Sequence, residues 1–77
     1  MDILDVFANN LKIYRTKKGL SQEELAFRAE LHRTYISAVE RKKKNISIRN
    51  IEKIAKALEI EPYKLLIKET QDDTNIR

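Results

Sequence analysis

Arg33, Thr34, Ser37 and Ala38 fall on one side of a short stretch whose other side carries Ile36 and Val39. In a helix, that spacing buries the two apolar residues and turns the other four outward. A guanidinium and two hydroxyls on one exposed strip can do one kind of chemistry well, which is reading base edges in the major groove of duplex DNA. Arg33 can bond guanine in a bidentate manner, a contact worth roughly 1–3 kcal/mol of discrimination. Thr34 can bond a base or touch a thymine methyl, and Ser37 is a second reader one turn on. Phosphate grips are available around this strip in Gln22, Tyr35, Arg41, Lys43, Lys44 and Asn45. Gln22 opens a helix whose N–H groups favour the same anion. Lys44 is close enough in sequence to follow the groove. A merely solvated helix face would have a similar composition. What separates this stretch from one is the convergence of a cap, a turn and a basic loop around it.

The elements that position these residues follow from period and capping. Leu4, Phe7, Leu11 and Tyr14 recur near the helical period over residues 4–18, and Val6 and Ile13 broaden that face. Asp2 and Asp5 at the front and Arg15, Lys17 and Lys18 at the rear complement the helix dipole. Gly19 is placed to end this helix in a left-handed conformation. Ser21 and Glu24 have capping-box spacing, with Leu20 and Leu25 as a hydrophobic staple. Such a cap is worth about 1 kcal/mol. Helix two offers Leu25, Ala26 and Ala29 to the core, while Phe27 is directed into a crevice beside helix one. After a turn at residues 30–32, helix three is predicted over 33–40. Residues 41–45 form a basic loop. Ile46 and Ser47 repeat the staple and cap, and helix four over 47–58 carries the stripe Ile51, Ile54, Ala55 and Leu58. Helix five is expected from Pro62, where a missing N–H is harmless, to residue 67. The prediction is an all-α, compact five-helix domain over 1–68, with a polar, frayed tail at 69–77. Within it, residues 20–41 have the form of a helix-turn-helix.

Composition narrows the function classes. Seventy-seven residues make one small domain with a thin core. With no cysteine, disulfides and thiolate metal ligands are ruled out. His32 is the one histidine, and alone it cannot build a metal site; its expected place is ahead of helix three, as a cap or a phosphate contact. No Ser-His-Asp set or glycine-rich phosphate loop is evident, so an enzyme, a metal and a cofactor are all excluded. No apolar run is long enough to cross a bilayer, and the amino end is acidic, unlike a signal peptide, so a soluble intracellular protein with no membrane partner is expected. The net charge is +4, yet residues 1–49 hold eleven Lys/Arg against six Asp/Glu, while residues 50–77 hold five against six. The surplus of positive charge therefore sits with the candidate groove-reading helix, where a polyanion would meet it. Ile48, Ile60, Tyr63, Leu66 and Ile67 are apolar residues left over once the core is built. They are candidates for a symmetric dimer interface, since two reading helices must stand about 34 Å apart to enter successive major grooves. For Tyr63 and Leu66, closing the monomer core remains the alternative.

Residues 8–67 resemble the phage-repressor type of helix-turn-helix domain, of the lambda-repressor-like five-helix kind. Leu-Ser-Gln-Glu-Glu-Leu-Ala at 20–26 is a specific match. That resemblance implies a structural ion pair between Arg15 and Glu40. A narrower resemblance, to the controller proteins of bacterial restriction–modification systems, rests on residues 31–37, Glu40-Arg41, Asn45-Ile46-Ser47 and residues 50–55. It implies a cytoplasmic bacterial homodimer that binds paired operators upstream of its own gene and the endonuclease gene. Such a protein would activate at low occupancy and repress at high occupancy, with RNA polymerase as a further partner. The family's DNA contacts fall on Arg33, Thr34, Tyr35, Arg41, Lys44 and Asn45. Three positions depart from the family pattern: Glu30 and Lys42 stand where glycine is frequent, and Lys44 stands where arginine is usual. The competing assignments are another small phage-type repressor, or an antitoxin acting through protein–protein contacts. The latter would call for a long apolar carboxyl-terminal segment, and residues 69–77 are short and polar.

Overall fold

Asp2 accepts the Leu4 N–H at 3.0 Å and so starts the first helix, α1 (Ile3–Lys17). The computed structural model describes residues 2–68. It continues with α2 (Gln22–Ala29), α3 (Arg33–Glu40), α4 (Ile48–Leu58) and a 3₁₀ turn at Pro62–Leu65. No strand occurs among the described residues. The predicted tail at 69–77 lies outside them. No helix among them is long and apolar enough to cross a membrane.

The caps are those the sequence spacing predicts. The Glu24 N–H donates to Ser21 Oγ at 3.0 Å, and the Ser21 N–H donates to Glu24 Oε1 at 2.8 Å. That backbone donor holds the Glu24 carboxyl below its ordinary range. The box is therefore intact above the ordinary carboxylate range and loosens as pH falls through the lowered value. Ser47 Oγ accepts the Asn50 N–H at 3.1 Å and starts α4.

All four helices end in the same way. Leu20, Leu31, Lys43 and Ile60 each donate their N–H to a carbonyl five residues back, at 2.8–3.0 Å. The residue before each stands in the left-handed region: Gly19, Glu30, Lys42 and Glu59. This double closure satisfies the last carbonyls of a helix and reverses the chain in one step. Only Gly19 adopts the conformation without steric cost. Each of the other three gives up something like 1 kcal/mol, because its Cβ crowds the following carbonyl.

Phe7, Leu11, Leu25, Ile36, Val39, Ile54 and Leu65 are fully buried and form one core drawn from all five elements. Two expectations fail here. Phe27 does not enter a crevice beside α1; it is 84 % exposed. It stands about 200° around α2 from the fully buried Leu25, nearly opposite the face that packs. The fifth helix is absent: from Pro62 the chain makes a single 3₁₀ turn, closed by Lys64 N–H to Glu61 O and Leu66 N–H to Tyr63 O. Asn10 of α1 fixes this end of the chain: its side-chain amide donates to the carbonyls of Lys64, Leu65 and Ile67.

One polar network ties the first three helices together. Arg15 Nε donates to Glu40 Oε2 at 2.7 Å and Arg15 Nη2 to Glu40 Oε1 at 3.0 Å. Arg15 Nη1 donates to the Leu20 carbonyl at 2.8 Å, and Gln22 Nε2 donates to Glu40 Oε1 at 3.0 Å. The side chains of Arg15 and Glu40 are only 11 % and 4 % exposed. Glu40→Ala is therefore expected to strand a buried guanidinium and to lower unfolding free energy by about 3 kcal/mol in urea denaturation, with Glu40→Gln losing less. Glu30→Gly acts in the opposite direction. Relief of the left-handed strain should raise stability by about 0.5–1 kcal/mol, read as a higher urea midpoint at unchanged slope.

Candidate nucleic-acid interface

The outward strip read from the sequence is presented by α3. Ile36 and Val39 are fully buried, and they pin the helix by one side. Arg33 and Thr34, in the first turn, are exposed; Ser37 and Ala38, one turn on, are half-buried. His32 occupies the N-cap position, yet its side chain makes no capping bond. Glu30, in the left-handed region, and half-buried Leu31 set the turn between α2 and α3. That turn is tight because it is also the closure of α2.

The basic loop stands at the other end of α3. Arg41, Lys43, Lys44 and Asn45 are exposed. Arg41 Nε donates to the Ser37 carbonyl at 3.4 Å, which lays its guanidinium stem back along α3. Tyr35 is half-buried, and its hydroxyl donates to the Asn45 carbonyl at 3.4 Å. The phenol therefore fastens the loop to the helix as well as standing beside it. Lys42, in the left-handed region, points to Asp5 Oδ1 at 3.7 Å and not to the rest of the basic cluster. Gln22 Nε2 donates one of its two N–H groups to Glu40, so the side chain is braced against the end of α3.

Arg15 and Glu40 form the ion pair that the family resemblance implies, joined by two hydrogen bonds. Among the candidate interface residues, Ile48 is 86 % exposed, and Tyr63, Leu66 and Ile67 are also exposed. Ile60 differs: it is half-buried and packs against the monomer core. Ile3, at the front of α1, is exposed as well.

The structure also gathers cations that the sequence reading left unassigned. Arg28, Arg49, Lys53 and Lys56 line a cleft with Glu30 and Glu52 beside α2 and α4. Their signal was present as basic residues four and three apart along α4, but the interleaved Glu52 hid it. Chemically, the assembled face offers a rigid first helical turn with a guanidinium and hydroxyl, flanked by a run of exposed cations. That arrangement suits base-edge hydrogen bonding supported by phosphate neutralisation.

Comparison with known proteins agrees with this geometry. The model of the Helix-turn-helix family matches residues 11–65. A hypothetical transcription factor of Neisseria meningitidis is 53% identical over 66 residues, covering 86% of this chain and 62% of that protein. The chain thus spans less than two thirds of that relative's length. Control protein C.SmaI of Serratia marcescens is 45% identical over 69 residues, covering 90% of this chain and 82% of that protein. The restriction–modification controller C.Esp1396I, solved bound to a 25 base pair operator site, superimposes with a TM-score of 0.81 at 38% identity, covering 92% of this chain and 97% of that one. The capped two-helix unit, its buried ion pair and these likenesses make the chain a member of the helix-turn-helix family, within the group of restriction–modification control proteins.

Proposed function

We propose that the chain is a sequence-specific transcription regulator that binds paired operator sites in double-stranded DNA as a homodimer. It acts in the bacterial cytoplasm on its own gene and a linked endonuclease gene, activating at low occupancy and repressing at high occupancy. The observation that carries this reading is the first turn of α3. Arg33 and Thr34 are exposed there, on a helix that Ile36 and Val39 hold rigidly against the core. In this reading Arg33, Thr34, Ser37 and Ala38 face base edges, and Tyr35, Arg41, Lys43, Lys44 and Asn45 follow the backbone. Gln22, braced against Glu40 through one N–H, offers its other N–H to a phosphate. Lys44 acts as a point charge where arginine would bond in a fork.

The homodimer is supported by the exposed apolar residues Ile48, Tyr63, Leu66 and Ile67. Ile60 contributes little, being turned into its own core. RNA polymerase is the further partner in this reading, and we assign its contact to exposed Phe27, which has exposed Glu23 and Glu30 one helical turn to either side. Phe27 lies on the same groove as His32, Arg33 and Thr34, and so beside bound DNA in this reading.

Fluorescence anisotropy with operator and scrambled duplexes tests the DNA assignment. Arg33→Ala should cut operator discrimination by about 5- to 150-fold, the equivalent of 1–3 kcal/mol. Lys43→Ala should weaken both duplexes alike and reduce the salt slope by about one. Unchanged discrimination in Arg33→Ala would remove α3 as the reading helix. Phe27→Ser should leave operator affinity intact while abolishing activation in transcription with purified polymerase; preserved activation would clear Phe27 of that contact.

A further inference from the structure

Besides the Arg15–Glu40 pair, whose side chains are buried together, Asn10 is a buried polar residue of α1. Arg15 has its carboxylate. Asn10 bonds backbone: Nδ2 donates to the Ile67 carbonyl at 2.7 Å, to Leu65 at 3.1 Å and to Lys64 at 3.3 Å. Three carbonyls around one end of the amide fix that end as the nitrogen, and two N–H groups must be shared among them. These bonds span 54 to 57 residues of sequence. They fasten the last described turn to the middle of α1.

The segment so held has two faces. Leu65 is fully buried in the core, while Tyr63, Leu66 and Ile67 are exposed. Ile3, also exposed, stands on the same side of α1 as Asn10, two helical turns nearer its start. Short 3₁₀ turns have poor intrinsic hydrogen bonding and do not persist by themselves. Here the turn has the bonds Lys64 to Glu61 and Leu66 to Tyr63, one core side chain, and Asn10.

We infer that Asn10 is a positioning residue for subunit association. By holding the carbonyls of Lys64, Leu65 and Ile67, it keeps Tyr63, Leu66 and Ile67 as one preformed patch for a second copy of the chain. This rests on the homodimer reading above. Without the amide, the turn keeps two backbone bonds and the buried Leu65, and each backbone residue left to be ordered at association costs about tenfold in affinity. The Arg15–Glu40 pair joins α1 to α3 at a separate point of the fold.

The test uses the full chain. Sedimentation velocity across a dilution series gives the dimer dissociation constant for wild type, Asn10→Ala and Asn10→Asp, with far-ultraviolet circular dichroism as the check on folding. Asn10→Asp keeps the shape and replaces the donors with acceptors. A tandem protein, two copies joined by a long glycine–serine linker and both carrying Asn10→Ala, is assayed for operator binding beside the unlinked variant. The expected result is unchanged helix content, a dimer weakened about ten- to hundredfold in both variants, and operator affinity lost in unlinked Asn10→Ala but restored by linkage. A variant that unfolds, a folded variant as dimeric as wild type, a dimer that survives in Asn10→Asp, or a linked variant that still fails to bind would each overturn the inference. Wild type that is itself monomeric at tens of micromolar would bring down the dimer reading and this inference with it. Dimeric wild type with equally dimeric variants would sink this inference alone.

Discussion

The guanidinium of Arg15 holds the architecture at the point where three helices meet. It leaves the last turn of α1, bonds the Leu20 carbonyl that leads into α2, and grips Glu40 at the end of α3. Gln22, the first residue of α2, closes the set. A buried ion pair is a poor source of net stability, because desolvating two charges consumes most of their attraction. Its worth here is geometric. α2 and α3 have eight residues each, too short to persist alone in water. Their directions must be set by tertiary contacts. Ile36 and Val39 fix the depth of α3 against the core, and Glu40 fixes where its far end lies. The reading strip inherits its orientation from both.

The repeated helix closure explains how so short a chain fits four helices. Each left-handed residue turns the backbone immediately, and no connection needs a long loop. Three of these residues are not glycine, so the compactness carries conformational strain. At two of the three, the long side chain returns to α1 or its cap: Lys42 to Asp5, and Glu59 to Lys18 at 2.8 Å. The Lys18 hydrogen bond keeps the Glu59 carboxyl below its usual range. Exposed pairs of this sort contribute little and do not cancel the strain. Glycine at these positions would remove the strain but lose more backbone freedom on folding, which offsets part of the gain.

Local signals made most of this legible in advance. The Ser21–Glu24 box, the stripe of α4 and the burial of Ile36 and Val39 are properties of spacing within a few residues, and each is found as expected. Exposure of Arg33 and Thr34 follows from the same spacing. What remained hidden depends on partners far along the chain. Gln22 bonds Glu40, eighteen residues away, so its part in the polar network had no local mark. Asn10 follows another asparagine in a helix, and nothing in its neighbourhood announces three carbonyls from residues 64–67. Without that clamp in view, Pro62 followed by apolar residues reads as a helix start. Ile60 and Leu65 illustrate a finer limit: a run of apolar residues near a turn does not say which ones the turn will bury.

Rigidity connects these parts. The core cluster runs without interruption from Leu65 through Ile54 and Leu25 to Ile36, so the last turn and the reading helix belong to one packed body. Protein interiors at this density yield little to small forces. In the proposed dimer, a displacement of the patch formed by Tyr63, Leu66 and Ile67 would therefore not be absorbed between patch and α3. It would appear undiminished as a change in the separation of the two reading helices, a distance the duplex fixes at about one helical repeat. The two polar clamps then have complementary consequences. Arg15 with Glu40 sets how α3 sits on one subunit, and Asn10 sets where a second subunit is placed. Base reading needs both, because Arg33 contributes discrimination only when each copy meets its own half of the site in register.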